Sequence, residues 1–486
     1  MLHTLSALDL RERFINGTNS AQEITTHFLN RVKLHDPKVC AFLEVFAEDA
    51  MQKAKVLDEK RSEKKPLGVF AGVPVAIKDN LHMKGKKTTC GSKILQNFTA
   101  PFSATCCELL EEQDAILIGK TNLDEFAMGS STENSAFFKT KNPWDLACTP
   151  GGSSGGSAAA VSARFCPVAL GTDTGGSVRQ PAALCGIVGL KPTYGRVSRW
   201  GVVAYGSSLD QVGPMSSYVE DTALLMETIG RHCEKDSTSI DIASDQHLSD
   251  IKNFKKGLRI GVPWQFLEGL NEDTASNFKQ ALKVFESYGA TIYNIDLSIL
   301  KYSLATYYIL APAEASTNLA RYDGIRYGLR SKEAKSLDEV YDYTRDDGFG
   351  SEVKRRIMLG TFVLSSGYKN AYYRKAQQVR TKIIDTFKEA FKACDLVAIP
   401  CVPNSAFELG SIKDPLSMYL EDIYTIAANL TGLPAISLPS GFCKKSKPLG
   451  LQLIAPELHE KPLLQASYFF QQETKFNQHI PSLFKD

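Results

Sequence analysis

The sequence lacks charge of one sign: 56 Lys and Arg face 54 Asp and Glu, a formal net charge of +2. That balance excludes a protein that coats nucleic acid or a membrane surface through bulk charge. No apolar run approaches the roughly 18 residues that a membrane span needs. The opening "MLHTLSALDLRERF" alternates apolar and charged residues and contains no secretory core. The 11 cysteines include the adjacent Cys106 and Cys107 but no C-x-x-C pair, so free thiols in a reducing cytosol are expected rather than a disulfide framework. The 8 histidines form neither H-E-x-x-H nor a zinc spacing with cysteine, and no metal or other cofactor is expected in the chain. Internal repeats, low-complexity tracts and an evident flexible linker are missing too.

What remains is ordinary globular material, 43% hydrophobic and 23% charged over 486 residues. Length alone predicts two or three domains. The missing linker argues instead for one α/β domain over residues 1–486, with a central mixed β-sheet flanked by helices on both faces. Residues 1–65 read as helices. Ser6 with Asp9, and Ser20 with Glu23, have capping-box spacing, and Ile24, Phe28 and Val32 mark one apolar face. "DEKRSEKKP", Asp58 to Pro66, reads as a solvated connection.

From 67 to 215 short apolar runs alternate with Gly, Pro, Ser and Thr: "GVPVAIKD", "AILIGK", "FCPVALGTD", "GIVGLKPT". They predict buried strands alternating with helices. Residues 235–345 read as polar and irregular apart from candidate strands in "GLRIGVP" and "ATIYNIDL". "CDLVAIP", "LPAISLP" and "LGLQLIA" supply further candidates.

Two Gly/Ser clusters need an explanation, "TPGGSSGGSAAA" (149–160) and "GTDTGGSVRQP" (171–181). A flexible linker does not continue into a helix-forming run such as "AAAVSARF". A phosphate loop needs a lysine after its glycines, which neither cluster has, and G-x-G-x-x-G does not fit the spacing. A nucleophilic serine needs a base and backbone N–H groups aimed at the oxyanion. Ser177 is such a candidate, at a helix start with the N–H groups of Thr174, Gly175 and Gly176 before it. Pro181 is tolerated in the first helical turn. No histidine lies in either cluster, and His82 reads as a surface or hydrogen-bonded residue. Lys78, closing an apolar run, is the better base, because desolvation disfavours its ammonium form.

Lys78, the "PGGSSGGSAAA" motif and the "GTDTGGSVRQPA" motif running into "GLKPTYGRVS" together resemble the amidase signature family. Ser153 follows Lys78 by 75 residues and Ser177 follows Ser153 by 24, as in that family. The resemblance implies a Ser–cis-Ser–Lys triad. Ser177 is then the acyl-forming nucleophile, Ser153 the proton bridge after a cis peptide bond, and Lys78 the base. Thr174, Gly175 and Gly176 are the implied oxyanion donors. Ser154 and Ser157 are expected only to cap or pack a helix.

Within the family, "KTNLDEFAMGSSTENSAF", "EASTNLARYDGIRYG", "EVKRRIMLGT" and "MYLEDIYTIAANLTGLPAIS" resemble the glutaminase subunits of tRNA-dependent amidotransferases. That resemblance assigns the α-carboxylate of glutamine to Arg356, with Arg355 as the alternative, since a guanidinium grips a carboxylate through parallel hydrogen bonds. It assigns the α-ammonium to Asp422, a pocket wall to Tyr308, and the amide end to Gly129 and Ser130. It further implies a cytoplasmic heterotrimer with the B and C subunits of such an amidotransferase, the first larger and kinase-like, the second small. ATP and magnesium are then used by the larger partner, which also makes most contact with misacylated Glu-tRNA(Gln), and Asp-tRNA(Asn) is a second candidate substrate. The rival readings are a free-standing amidase acting on small carboxamides and a non-catalytic scaffold.

Overall fold

The apolar runs become strands of one sheet in a computed structural model that describes residues 1–243 and 246–486. The strands are β1 (Phe42–Val45), β2 (Pro74–Lys78), β3 (Ile116–Thr121), β4 (Val168–Asp173), β5 (Val188–Lys191) and β6 (Gln211–Ser216). They continue with β7 (Arg259–Val262), β8 (Thr291–Asn294), β9 (Leu396–Pro400), β10 (Ala435–Phe442) and β11 (Pro448–Ile454). Among the described residues their order is β1-β3-β2-β4-β6-β5-β10-β11-β9-β7-β8. β2 runs parallel to both β3 and β4, whereas β4, β6, β5, β10, β11 and β9 pair antiparallel in turn. The sheet is therefore mixed, as expected.

Alternation along the strands places apolar side chains on both faces. Val75 and Ile77 of β2 join one apolar cluster while Ala76 joins another, and Val168 and Leu170 of β4 alternate with Ala169 in the same way. Both faces must then be covered by helices. The first seven are α1 (Ala7–Ile15), α2 (Ala21–Val39), α3 (Ala47–Ser62), α4 (Thr105–Glu112), α5 (Gly155–Ser162), α6 (Arg179–Cys185) and α7 (Val219–Ile229). Next come α8 (Glu272–Glu286), α9 (Ser303–Asn318), α10 (Leu337–Gly348), α11 (Ser351–Leu364) and α12 (Lys375–Ala393). The last are α13 (Pro415–Leu420), α14 (Ile426–Thr431) and α15 (Glu460–Thr474). α2, α3 and α5 cover one face; α4, α7, α8, α9, α12, α14 and α15 cover the other. No described helix is long and apolar enough to cross a membrane.

Both capping boxes form, at Ser6 with Asp9 and Ser20 with Glu23, and Ile24, Phe28 and Val32 are buried. Three expectations need correction. The N-terminal segment is not purely helical: four-residue β1 pairs antiparallel with β3 at the sheet edge, too short to show a period of its own. The "DEKRSEKKP" stretch is not a solvated connection throughout, since α3 runs to Ser62. Its Asp58 carboxylate accepts the Ala21 N–H at 2.8 Å and the Gln22 N–H at 3.2 Å, capping α2 from outside. Residues 235–345 are not irregular, because α8, α9 and α10 lie there, and α9 carries part of the candidate site.

α9 and α11 touch at backbone distance. A Cβ placed on Gly360 of α11 would lie 1.9 Å from the Pro312 carbonyl oxygen of α9. Gly360→Ala is therefore expected to force the helices apart and lower stability by about 1–3 kcal/mol. The measurement is the urea midpoint at constant slope, and an unchanged midpoint would show that the two helices separate without cost.

Candidate active site

Because β2 and β4 are parallel neighbours, their carboxyl ends bring Lys78 and Thr172 side by side. Open α/β sheets place their clefts at such ends. The chain after Ser154 enters α5, and the turn after Asp173 enters α6, so both Gly/Ser clusters converge on this point. Lys78 is fully buried. Its Nζ lies 2.7 Å from Ser153 Oγ, 2.8 Å from Ser154 Oγ, 2.9 Å from Thr172 Oγ1 and 3.3 Å from the Thr172 carbonyl.

Burial pushes the Lys78 amine down to about 7, against an upward pull from the carboxylates of Asp124, Asp173 and Asp210. A neutral amine offers two donors and one lone pair. Ser154 Oγ–H donates to the Thr172 carbonyl at 3.2 Å, so its oxygen can only accept from the lysine. Thr172 Oγ1 also accepts from Asn80 Nδ2 at 2.9 Å. With the Ser154 proton committed to the Thr172 carbonyl, Ser153 and Thr172 are the hydroxyls that keep a proton for the lysine lone pair.

The assignment of Ser154 to capping or packing alone is corrected: it makes no side-chain cap and binds the lysine directly. Ser157 does pack, its Oγ lying 2.7 Å from Thr121 Oγ1 and 3.0 Å from the Leu170 carbonyl. His82 is half-buried, its ring against those of Phe98 and Phe102 at 5.7 and 5.2 Å.

The peptide bond between Gly152 and Ser153 is cis. Gly152 donates its N–H to Gln180 Oε1 at 2.9 Å, and Gln180 Nε2 donates to the Ser130 carbonyl at 3.0 Å. A Cβ on Gly152 would lie 2.1 Å from Asp124 Oδ2, so only glycine fits there. Asp124 itself accepts the N–H groups of Thr132, Ser131 and Asn134.

The second turn is organised by Asp173. Its carboxylate accepts Arg179 Nε at 3.0 Å, Arg179 Nη2 at 2.9 Å, Asn429 Nδ2 at 2.9 Å and the Gly176 N–H at 2.9 Å. Burial opposes its ionisation, but Arg179 and Asn429 outweigh burial and hold Asp173 at about 2. Gly176, expected as an oxyanion donor, has its N–H committed to this carboxylate. Thr174 Oγ1 donates to Asp210 at 2.6 Å. The Ser154 N–H donates to the Ser177 carbonyl at 3.1 Å, tying the two turns together. Lys78 and Ser153 meet at hydrogen-bond distance; the Ser177 hydroxyl has no hydrogen-bond partner among the described residues.

Beyond this turn lies a cluster of tyrosines. Arg356 is buried, donating from Nε to Glu352 at 2.7 Å and from Nη1 to the Tyr205 hydroxyl at 2.6 Å. Its guanidinium lies over the rings of Tyr308 and Tyr419, at 5.2 and 5.4 Å. Those two rings stack at 3.9 Å. Asp422 accepts from Ser130 Oγ at 2.7 Å and the Tyr308 hydroxyl at 3.3 Å, and burial pushes it up to about 7. Arg356, Asp422, Tyr308 and Ser130 are thus brought together. Arg355 points outward and pairs with Glu352. Gly129 leaves room for Asp124, since a Cβ there would lie 2.4 Å from its carboxyl carbon. Sequence reasoning missed Thr172, Asp173, Arg179, Tyr205, Glu352 and Tyr419. A usable signal existed only for Asp173 and Arg179, which bracket "TGGSV".

A family model described as Amidase matches residues 23–464. The glutamyl-tRNA(Gln) amidotransferase A subunit of Protochlamydia amoebophila is 59% identical over 485 residues, 100% of this chain and 99% of the relative. The protein of the same name from Chlamydia felis is 51% identical over 473 residues, 97% and 96% of the two chains. The crystal structure of the glutamyl-tRNA(Gln) amidotransferase A subunit from Thermotoga maritima is similar with a TM-score of 0.82 at 42% identity, covering 99% of this chain and 98% of that one. The native peptide amidase from Stenotrophomonas maltophilia has a TM-score of 0.83 at 26% identity, covering 97% of each.

Arg179 carries the most exacting local demand, because its removal strands the buried Asp173 carboxylate. Arg179→Met is expected to cost about 3–5 kcal/mol in urea unfolding, and Arg179→Lys to recover little, since one ammonium cannot reproduce the planar fork. Asp173 ionises more readily folded than unfolded, so the stability contributed by the pair is present at neutral pH. It fades as pH falls through about 2. A Lys variant as stable as the parent would refute the bidentate reading.

Proposed function

The chain belongs to the amidase family, and from that premise we propose that it is the glutamine-hydrolysing component of a tRNA-dependent amidotransferase. The observation that carries the chemistry is the dry contact between Lys78 Nζ and Ser153 Oγ at 2.7 Å. Neutral Lys78 takes the Ser153 proton as Ser153 takes the proton of Ser177, and Ser177 Oγ attacks the side-chain carboxamide of glutamine. Apo sites are often loose at this link, and it tightens when substrate is bound. The oxyanion is received by the N–H groups of Thr174 and Gly175, while Gly176 holds the turn to Asp173. The lysine proton returns through Ser153 to the departing nitrogen, ammonia leaves, and water hydrolyses the glutamyl ester by the same relay.

Recognition of free glutamine is supported by a guanidinium and a carboxyl brought to the same side chain, Tyr308. Arg356 uses two of its five N–H groups on Glu352 and Tyr205, leaving three for the α-carboxylate. Asp422 receives the α-ammonium, with Tyr308 as wall and Ser130 as its hydrogen-bond partner. The ammonia passes to the larger B subunit, which uses ATP and magnesium to activate the γ-carboxylate of Glu-tRNA(Gln), in a cytoplasmic heterotrimer completed by the small C subunit. A free-standing amidase on small carboxamides is the competing reading. Co-expression with the B and C subunits decides between them. Glutamine-dependent formation of Gln-tRNA(Gln) is expected, and a monomer fully active on simple amides without such product would reject the assignment.

Ser177→Ala is expected to abolish ammonia release from glutamine and keep the native circular dichroism spectrum; retained release would sink the nucleophile assignment. Because Lys78 works unprotonated and titrates at about 7, kcat/KM for glutamine should rise roughly tenfold per pH unit below 7 and level off above it. A profile flat from pH 5 to 8, or falling with pH, would remove Lys78 as the base. Arg356→Met should raise KM for glutamine about 10- to 150-fold, the value of a hydrogen bond to a charged group, and a KM change below threefold would place the carboxylate elsewhere.

A further inference from the structure

From Val353 to Ile384 the chain contains no Asp or Glu and eight Lys or Arg. Arg356 is buried, Arg380 is half-buried and bonded to the Leu430 carbonyl, Lys354 pairs with Asp346, and Arg355 shares Glu352 with Arg356. Lys369, Arg374, Lys375 and Lys382 are left, and no carboxylate among the described residues pairs with them. With a net charge of only +2 for the whole chain, this is a local feature and not general basicity.

Between those cations the chain exposes rings. Phe362, Tyr368 and Tyr372 are 45%, 44% and 42% exposed. Their centroids lie 4.4 Å apart for Phe362 and Tyr368, and 6.0 Å from each of these to Tyr372. They sit at the junction of α11 and α12, where Asn370–Arg374 forms a single π-helical turn, a distortion common at functional sites. Three large rings in contact with water and with each other mark an interaction surface. Beside them opens a groove of about 330 Å³, lined by Lys369, Tyr373, Ser207, Thr317, Asn318 and Glu314. The Glu314 carboxylate is taken up by the N–H and hydroxyl of Ser208, so the groove offers polar donors and acceptors beside an unpaired lysine.

Exposed rings interleaved with unpaired cations, with no acid among them, match what unpaired nucleotides require: faces to stack on and charges for phosphate. We propose that the α11–α12 junction is an RNA-binding site, in which bases stack on Phe362, Tyr368 and Tyr372 while Lys369, Arg374 and Lys375 hold the phosphates. Naming the RNA as the tRNA whose ester the partner amidates rests on the reading above; the binding itself does not.

The test titrates the full chain, alone and assembled with the B and C subunits, against a fluorescein-labelled tRNA(Gln) transcript from about 50 to about 200 mM salt. The triple variant Lys369→Gln, Arg374→Gln, Lys375→Gln should weaken binding about tenfold or more and reduce the slope of log K against log salt by about 2. Tyr372→Ala and Phe362→Ala should each lose about fivefold or more with the slope unchanged. Ammonia release from glutamine by these variants should stay within twofold of the parent. Unchanged affinity in the triple variant overturns the proposal. So does heparin competing as well as tRNA while Tyr372→Ala has no effect, which would reduce the patch to adhesion of any polyanion. Loss of co-purification with the B and C subunits while tRNA affinity stays intact would instead make this a protein surface. Failure of Ser177→Ala to stop ammonia release removes the glutaminase reading and leaves the RNA measurement standing.

Discussion

The site is organised around one demand, an amine held where no water reaches it. An ammonium in such a place is costly, and a neutral amine needs donors and acceptors of matching kind. Three hydroxyls and a carbonyl around Lys78 supply them. Its field is set by three buried carboxylates, each held differently. Asp173 is kept ionised by Arg179, whereas burial pushes Asp124 and Asp210 up to about 6 even with backbone N–H groups donating to them. Burial pulls the lysine down and the carboxylates pull it back, and the compromise is about 7. The same acids hold the chain turns: Asp124 grips the segment behind Gly152, Asp173 the turn at Gly176, and Asp210 the Thr174 side chain. Tuning of the base and shaping of the backbone are therefore done by the same groups.

The tyrosine pocket follows a different logic. Arg356 gains from Glu352, from Tyr205 and from the faces of Tyr308 and Tyr419, so its charge is compensated before anything binds. Asp422 has hydroxyl donors but no ion-pair partner among the described residues, and burial pushes its carboxyl up to about 7 against the pull of Ser130 and Arg356. One side carries a compensated charge with N–H groups still to donate, and the other gains most from an incoming positive charge. A ligand with both an anionic and a cationic group, such as the glutamine proposed above, would relieve that imbalance in one orientation only.

Much of this was legible in the sequence because it rests on local pattern. The buried strands show as apolar runs, the capping boxes as spacings of three, and the two Gly/Ser clusters as turns whose backbone approaches other groups closely. What stayed hidden depends on distant partners. β6, "QVGPMS", carries a proline and a glycine and reads as no strand, yet both of its neighbours pair with it. Asp58 caps a helix 37 residues earlier in the chain. Ser154 stands beside Ser153, and the direction of its proton is fixed by the Thr172 carbonyl on β4, 18 residues on. Tyr205, Glu352 and Tyr419 come from three separate segments, and only their meeting at Arg356 distinguishes them from ordinary core and surface residues.

α11 joins the two surfaces argued for above. Its inner face presents Arg356 to the tyrosine pocket, and Phe362, less than two turns further on, faces solvent. Gly360 lies between them and presses α11 against the Pro312 carbonyl of α9, the helix that also carries Tyr308 and the groove residue Asn318. A contact at backbone distance leaves little room for one helix to slide on the other, so α9 and α11 respond to load as one body. Asp422 belongs to the segment between α13 and α14 and meets α9 through the Tyr308 hydroxyl. An RNA strand seated on the outer rings, as proposed above, would therefore bear on Arg356 and Tyr308 together.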